Sequence, residues 1–167
     1  MLNFADRETG RRAAAEKMSH WIMKSEPDAY SIDDLARDGR ERWDGIRNYQ
    51  ARNMMRDEMR VGDEILFYHS SCKVPAVVGI ARVASNPYPD PTQFDPESRY
   101  HDPKSSVDDP RWVLVDVEFV RKLSRPVTLH ELKEHPGLGG LVLLKRGNRL
   151  SIMPASQEHR DLILSLE

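Results

Sequence analysis

The chain has 167 residues, 39% hydrophobic and 31% charged, with 25 lysines and arginines against 27 aspartates and glutamates, a formal charge of −2. That length suits one domain whose folding removes roughly 70% of the unfolded chain's surface from water, so a core forms without staples. The balance excludes a uniformly basic phosphate binder and an acidic disordered chain.

Residues 1–18 mix Arg7, Arg11, Arg12 and Lys17 with Asp6, Glu8 and Glu16 and lack the apolar stretch of a secretory signal. They read as a polar extension ahead of a domain over residues 19–167. The apolar stretch His20 to Met23 predicts a first strand that stops at Lys24-Ser25-Glu26-Pro27, where proline cannot donate to a ladder. Ser31 three residues before Asp34 predicts a capped short helix ended by Gly39, and Asn48 caps a second one carrying Ala51, Met54, Met55 and Met59 on one face. Strands follow over Glu64 to His69, Ala76 to Ala84 and Arg111 to Lys122, the last with Val113, Val115, Val117 and Phe119 alternating against Asp116 and Glu118.

Ser85 to Pro110 is a connection holding six of the eleven prolines. Most loops have about 4–6 residues, so one this long in a small domain is read as functional. Thr128 with Glu131 predicts a helix ending near Pro136, Arg149 to Met153 a last strand stopped by Pro154, and Ser156 the cap of a final helix. These elements predict an α+β fold: a curved, mostly antiparallel barrel of about six strands with short helices at its ends.

A single cysteine, Cys72, excludes an intramolecular disulfide and a cysteine-rich zinc site, so a reducing cytosol is expected, or the nucleus in a eukaryote. Apolar runs such as Gly140 to Leu144 are too short to cross a bilayer, and no membrane partner is expected. His69 and Cys72 have no second pair at metal spacing, so neither a metal nor a cofactor is expected. A monomer is the default. Charge is segregated: residues 90–118 hold eight acids and three bases, whereas residues 121–149 hold seven bases and two acids.

Phosphate-cradle and hydrolase motifs are lacking, which leaves a polar-aromatic set at strand ends. It comprises Lys24, Ser25 and Glu26, then Trp43 to Gln50 with Arg47, Asn48 and Tyr49, then Tyr68, His69 and Ser70. An indole stacks on a base while hydroxyl, amide and backbone groups read its edge. Each also has a plain structural reading: Trp43 and Tyr49 as packing residues, Asn48 as a cap, and Lys24 with Glu26 as a solvated pair.

Taken in order, the stretches His20 to Pro27, Trp43 to Asn53, Val61-Gly62-Asp63 with Leu66 to Ser70, Tyr88-Pro89-Asp90, Pro110-Arg111-Trp112 and Asn148 to Pro154 strongly resemble the EVE domain family. That resemblance implies a PUA-like fold related to the YTH domain and a role in reading modified bases in DNA or RNA. It implies that Trp43 is the first wall of an aromatic cage, lined by Ser25, Glu26, Asn48, Tyr49 and Tyr68 to Ser70, with Tyr88 as second wall. Ser71-Cys72 departs from relatives that carry asparagine there. The expected function is a non-enzymatic module that takes a flipped, modified base, methylated in the sense the family implies, into this cleft, with Arg47, Arg52, Lys122, Arg125, Arg146 and Arg149 on the phosphate backbone. The alternatives are a hydrolase or amidohydrolase acting on a modified nucleoside through Lys24, Glu26 and Tyr68, and a small-ligand or protein-interaction module.

Overall fold

Consecutive apolar residues on both faces of the central strands decide the architecture. In β1 (His20–Ser25), Trp21 and Met23 enter one core while Ile22 enters a second. In β3 (Glu64–His69), Ile65 and Phe67 face the first and Leu66 and Tyr68 the second. Strands buried on both faces read as continuous apolar runs. The computed structural model describes residues 18–167, so the expected extension over residues 1–18 lies, apart from Met18, outside the described residues.

With β2 (Arg40–Arg42), β4 (Ala76–Val83), β7 (Asp116–Thr128) and β8 (Ile152–Ala155), the sheet runs in the order β2-β7-β4-β3-β1-β8. Only β1 and β3 pair in parallel; the other neighbours are antiparallel. Register shifts between Val77 and Gly79 and between Ile80 and Ala81 curl the sheet, as bulges do. The result is a mixed, curled half-barrel with short helices, an α+β arrangement of the PUA-like kind expected.

The caps read from the sequence hold α1 (Ile32–Asp38), α2 (Tyr49–Asn53), α3 (Leu129–Glu134) and α4 (Gln157–Leu164). Ser31 and Thr128 each form a reciprocal capping box, while Asn48 and Ser156 accept from Ala51 N and His159 N. Beyond α2 the chain continues through a π-helical turn, Met54–Glu58. Among the described residues, no helix is long and apolar enough to cross a membrane.

Two strand expectations need correction, and one strand, β2, was not expected. The strand read from Arg111 to Lys122 is two: β6 (Val113–Leu114) pairs with β5 (Tyr88–Pro89), and β7 begins at Asp116 and runs on to Thr128. Leu114 and Val115 are both buried, which breaks the alternation, and the Val115 carbonyl accepts from Trp43 N at 2.9 Å. β2 has no apolar signal, because Arg40-Glu41-Arg42 forms a polar sheet edge. Pro154 lies within β8 rather than ending it; β8 is the opposite edge, where a missing N–H can face away from the ladder.

The long connection is packed around Asp90. This fully buried carboxylate accepts from Gly45 N at 2.8 Å, Arg47 Nη1 at 3.0 Å, Thr92 N at 2.8 Å and Thr92 Oγ1 at 2.6 Å. Burial pushes the carboxyl up, but the bonds from Thr92, Gly45 and Arg47 outweigh it and hold the group below the usual carboxylate range. Buried Gln93 donates to the carbonyls of Asp90 and Trp112, and accepts from Ser105 Oγ and Trp112 N.

Candidate functional site

A cavity of about 510 Å³ opens where β1 ends, lined there by Lys24, Ser25 and Glu26. Trp43 to Ile46, between β2 and α2, supplies another side; Arg99 and Tyr100 come from the long connection, and Ser151 from just before β8. Trp43 is 9% exposed and meets Phe67 edge to face, with centroids 5.6 Å apart and planes at 85°. It is therefore both a core residue and the aromatic floor of the cavity. Lys24 N donates to Ser151 O at 2.8 Å and Ser25 Oγ to Tyr30 O at 2.5 Å, so backbone and hydroxyl groups of this turn hold its shape.

Gly45 sets how close the walls stand. Its φ is +80°, and a Cβ there would lie 2.6 Å from Tyr100 Cζ. A side chain would meet both backbone strain, about 1–3 kcal/mol, and a collision with the far wall. Gly45→Ala is expected to lower thermal stability and displace the Tyr100 ring, the latter visible as a changed Tyr100 environment by NMR. An unmoved Tyr100 would contradict this packing.

Three acids (Glu26, Glu41, Asp44) and three bases (Lys24, Arg42, Arg99) line the cavity. Burial pulls the Lys24 ammonium down. Asp44, on the rim and open on one side, is pushed up first by lost hydration and then by the nearby charges of Asp90 and Glu41. Burial, and then its bond to Asp38, pushes the Tyr30 phenol up. Carboxylates that accept and an ammonium that donates, set around an indole, can satisfy the edge of one planar heterocycle bearing both an amine and a carbonyl.

Of the residues read from the sequence, Lys24, Ser25, Glu26 and Trp43 converge on this cavity, and the others do not line it. Tyr68 follows Phe67 by one residue in β3 and so points into the opposite core, where burial pushes its phenol up to about 12. His69 Nε2 accepts from Ile32 N at 3.1 Å and caps α1. Ser70 N donates to Ser25 O at 3.0 Å. Asn48 is occupied as the cap of α2, and Tyr49 stacks on Trp112 outside the cavity. Tyr88, in β5, donates to Asp116 Oδ1 at 2.5 Å, leaving Tyr100 as the aromatic that the long connection gives to the cavity.

The His69 cap makes a pH prediction. Burial lowers the imidazole's pKa below its usual 6.5, while the charge of Asp33 opposes that shift. The cap is therefore complete above about pH 6.5 and weakens as pH falls from there toward the lower folded-state value, because the unfolded chain takes up the proton first. Protection of the Ile32 amide against hydrogen exchange, relative to the intrinsic rate at each pH, should fall as pH drops through that window; unchanged protection would contradict the cap.

The expected backbone contacts divide similarly. Arg47 is the clearest correction: its guanidinium donates to Asp90, Thr92 Oγ1 and the carbonyls of Ile46 and Tyr100, so its donors serve the fold. Arg52 donates to the Arg111 carbonyl and to Asn53. Lys122 pairs with Asp33 from α1, and Arg125 with Glu131 inside the same segment. Arg146 and Arg149 are exposed and carry no ion pair among the described residues.

Sequence reasoning missed Tyr30, Glu41, Arg42, Asp44, Arg99, Tyr100 and Ser151 as lining residues. Asp44-Gly45 directly after Trp43 was an available signal of a tight approach, and Tyr100 is the second of only two tyrosines in the long connection.

The family model for the EVE domain matches residues 19–166. This chain belongs to the EVE domain family. Human thymocyte nuclear protein 1 is 45% identical to this EVE domain over 168 residues, spanning 89% of this chain and 74% of that protein. A crystal structure of a Pseudomonas putida protein superposes with a TM-score of 0.86 at 52% identity, covering 89% of this chain and 99% of the other. The human THYN1 protein in complex with 5-methylcytosine containing DNA superposes with a TM-score of 0.84 at 43% identity, covering 89% of this chain and 96% of that one.

Proposed function

We propose that this EVE domain binds DNA or RNA carrying a modified base and takes that base into the Trp43-floored cavity without altering it chemically. The observation that carries the reading is a cavity with an indole floor and a tyrosine wall, in a fold shared with a relative crystallised on DNA containing 5-methylcytosine. That makes 5-methylcytosine the modification to test first. A cytosine presents an amine donor beside two acceptors, which suits the carboxylates of Glu26 or Asp44 together with the Lys24 ammonium. Its methyl group adds about 0.8 kcal/mol when buried, about a fourfold preference. Lys145, Arg146 and Arg149, exposed just before Ser151, are proposed to position the phosphates.

A hydrolase using Lys24, Glu26 and Tyr68 is disfavoured because Tyr68 does not line the cavity and is buried in the second core. The human and mouse relatives bear a nuclear name, and a nuclear place is proposed if the source is eukaryotic. The test is the indole NMR spectrum during addition of an oligonucleotide containing 5-methylcytosine. Trp43 Nε1–H should shift, while Trp21, whose Nε1 donates to Asp63 Oδ2 at 3.0 Å in the core, should not. A shift at neither indole despite binding would overturn this site.

A further inference from the structure

A run of stacked groups leads from the cavity to the surface. The Tyr100 ring lies 5.6 Å from the Arg47 guanidinium, which lies 5.4 Å from the Trp112 ring. Trp112 stacks on Tyr49 with centroids 4.8 Å apart and planes at 29°, and Tyr49 is 51% exposed. Trp112 is fixed beneath it: its Nε1 donates to Asp102 at 2.8 Å and its backbone amide to Gln93 at 3.0 Å.

Arg52 stands at the side of this pair. Its guanidinium is 4.6 Å from Tyr49 and 5.8 Å from Trp112, and it is tethered to the Arg111 carbonyl at 2.9 Å. A cation at that distance on the outward face of Tyr49 would stand about 9 Å from Trp112, well beyond the 5.8 Å observed. The outward face is therefore left open by Arg52.

A tyrosine backed by an immobilised indole, open on one face and flanked by a cation, is a preordered surface for stacking a base. Such stacking tolerates any base, because each has a π face. We propose that the outer face of Tyr49 stacks on a base flanking the one held in the cavity, with Arg52 beside it, so that the strand is gripped at two aromatic points. This assignment rests on the base-reading function above. Tyr49 then supplies affinity, and Trp43 and its neighbours supply discrimination.

The test titrates the full chain, Tyr49→Ala and Tyr49→Phe with single-stranded oligonucleotides bearing one 5-methylcytosine or one cytosine. Each is used intact and with an abasic residue replacing each flanking base in turn. One abasic position should weaken wild-type binding about tenfold. That loss should vanish in Tyr49→Ala and persist in Tyr49→Phe, while Tyr49→Ala keeps the preference for the methylated strand. Retained preference with no coupling between Tyr49 and any flanking base would overturn the platform alone. Equal binding of methylated and plain strands by the wild type would overturn the base reading and this assignment with it.

Discussion

Trp43→Ala is expected to lower stability by about 3–5 kcal/mol, the range for emptying a buried aromatic site, and to weaken binding of the modified base. Both effects come from one side chain, because Trp43 packs edge to face with Phe67 and also lines the cavity. Trp43→Phe separates them. It retains an aromatic against Phe67 and should fold, yet presents a smaller surface to the ligand. Stacking on a base contributes about 1–3 kcal/mol, so its loss in the alanine variant corresponds to about a fivefold to hundredfold weaker affinity, with the phenylalanine variant between. Denaturant unfolding measures the first effect and fluorescence anisotropy, under conditions where each variant is folded, the second. An unchanged affinity in either folded variant would remove Trp43 from the binding site.

Arg47→Ala should be as damaging although Arg47 does not line the cavity. It leaves the Asp90 carboxylate, which is wholly buried, without its guanidinium, a change that typically costs about 3–5 kcal/mol. The Tyr100 carbonyl loses two donors at 2.7 and 3.0 Å, so the wall of the cavity should detach with the connection that carries it. Arg47→Lys should rescue little, since an ammonium cannot present the planar fork that reaches Asp90, Thr92 and two carbonyls together. Hydrogen exchange should increase throughout the Asp90 to Tyr100 segment in both variants. Confinement of the increase to residues 46–48 would show that the connection is held without Arg47.

How far the chain could be read depended on the type of signal. Caps were legible because a hydroxyl or amide three residues from an acid or a free amide is a local relation, as at Ser31, Asn48, Thr128 and Ser156. The central strands were legible because burial on both faces writes itself as an apolar run. β2 and β5 were not: each is held by pairing with a distant segment, and nothing apolar in Arg40-Glu41-Arg42 announces it. At the site, Lys24, Ser25, Glu26 and Trp43 follow from where strands end. Tyr68 was misplaced because three chemically suitable residues in a row were grouped, although the two-residue period of a strand sends Tyr68 and Phe67 to opposite faces. Arg47 was misread because a guanidinium looks alike in sequence whether it serves a phosphate or a buried aspartate 43 residues away. The near-neutral charge took on a similar meaning: Arg121 and Lys122 of the basic segment are matched by Glu167 and Asp33, acids that only the fold brings near.

The central claim is that discrimination arises in the Trp43 cavity rather than along the phosphate backbone. It is tested most directly by titrating wild type and Trp43→Phe with oligonucleotides identical except for 5-methylcytosine or cytosine, at several salt concentrations. The wild type should prefer the methylated strand by about fourfold or more, with a ratio that salt leaves unchanged, and Trp43→Phe should narrow that ratio. Equal affinities in the wild type, or the same preference in both proteins, would contradict the account.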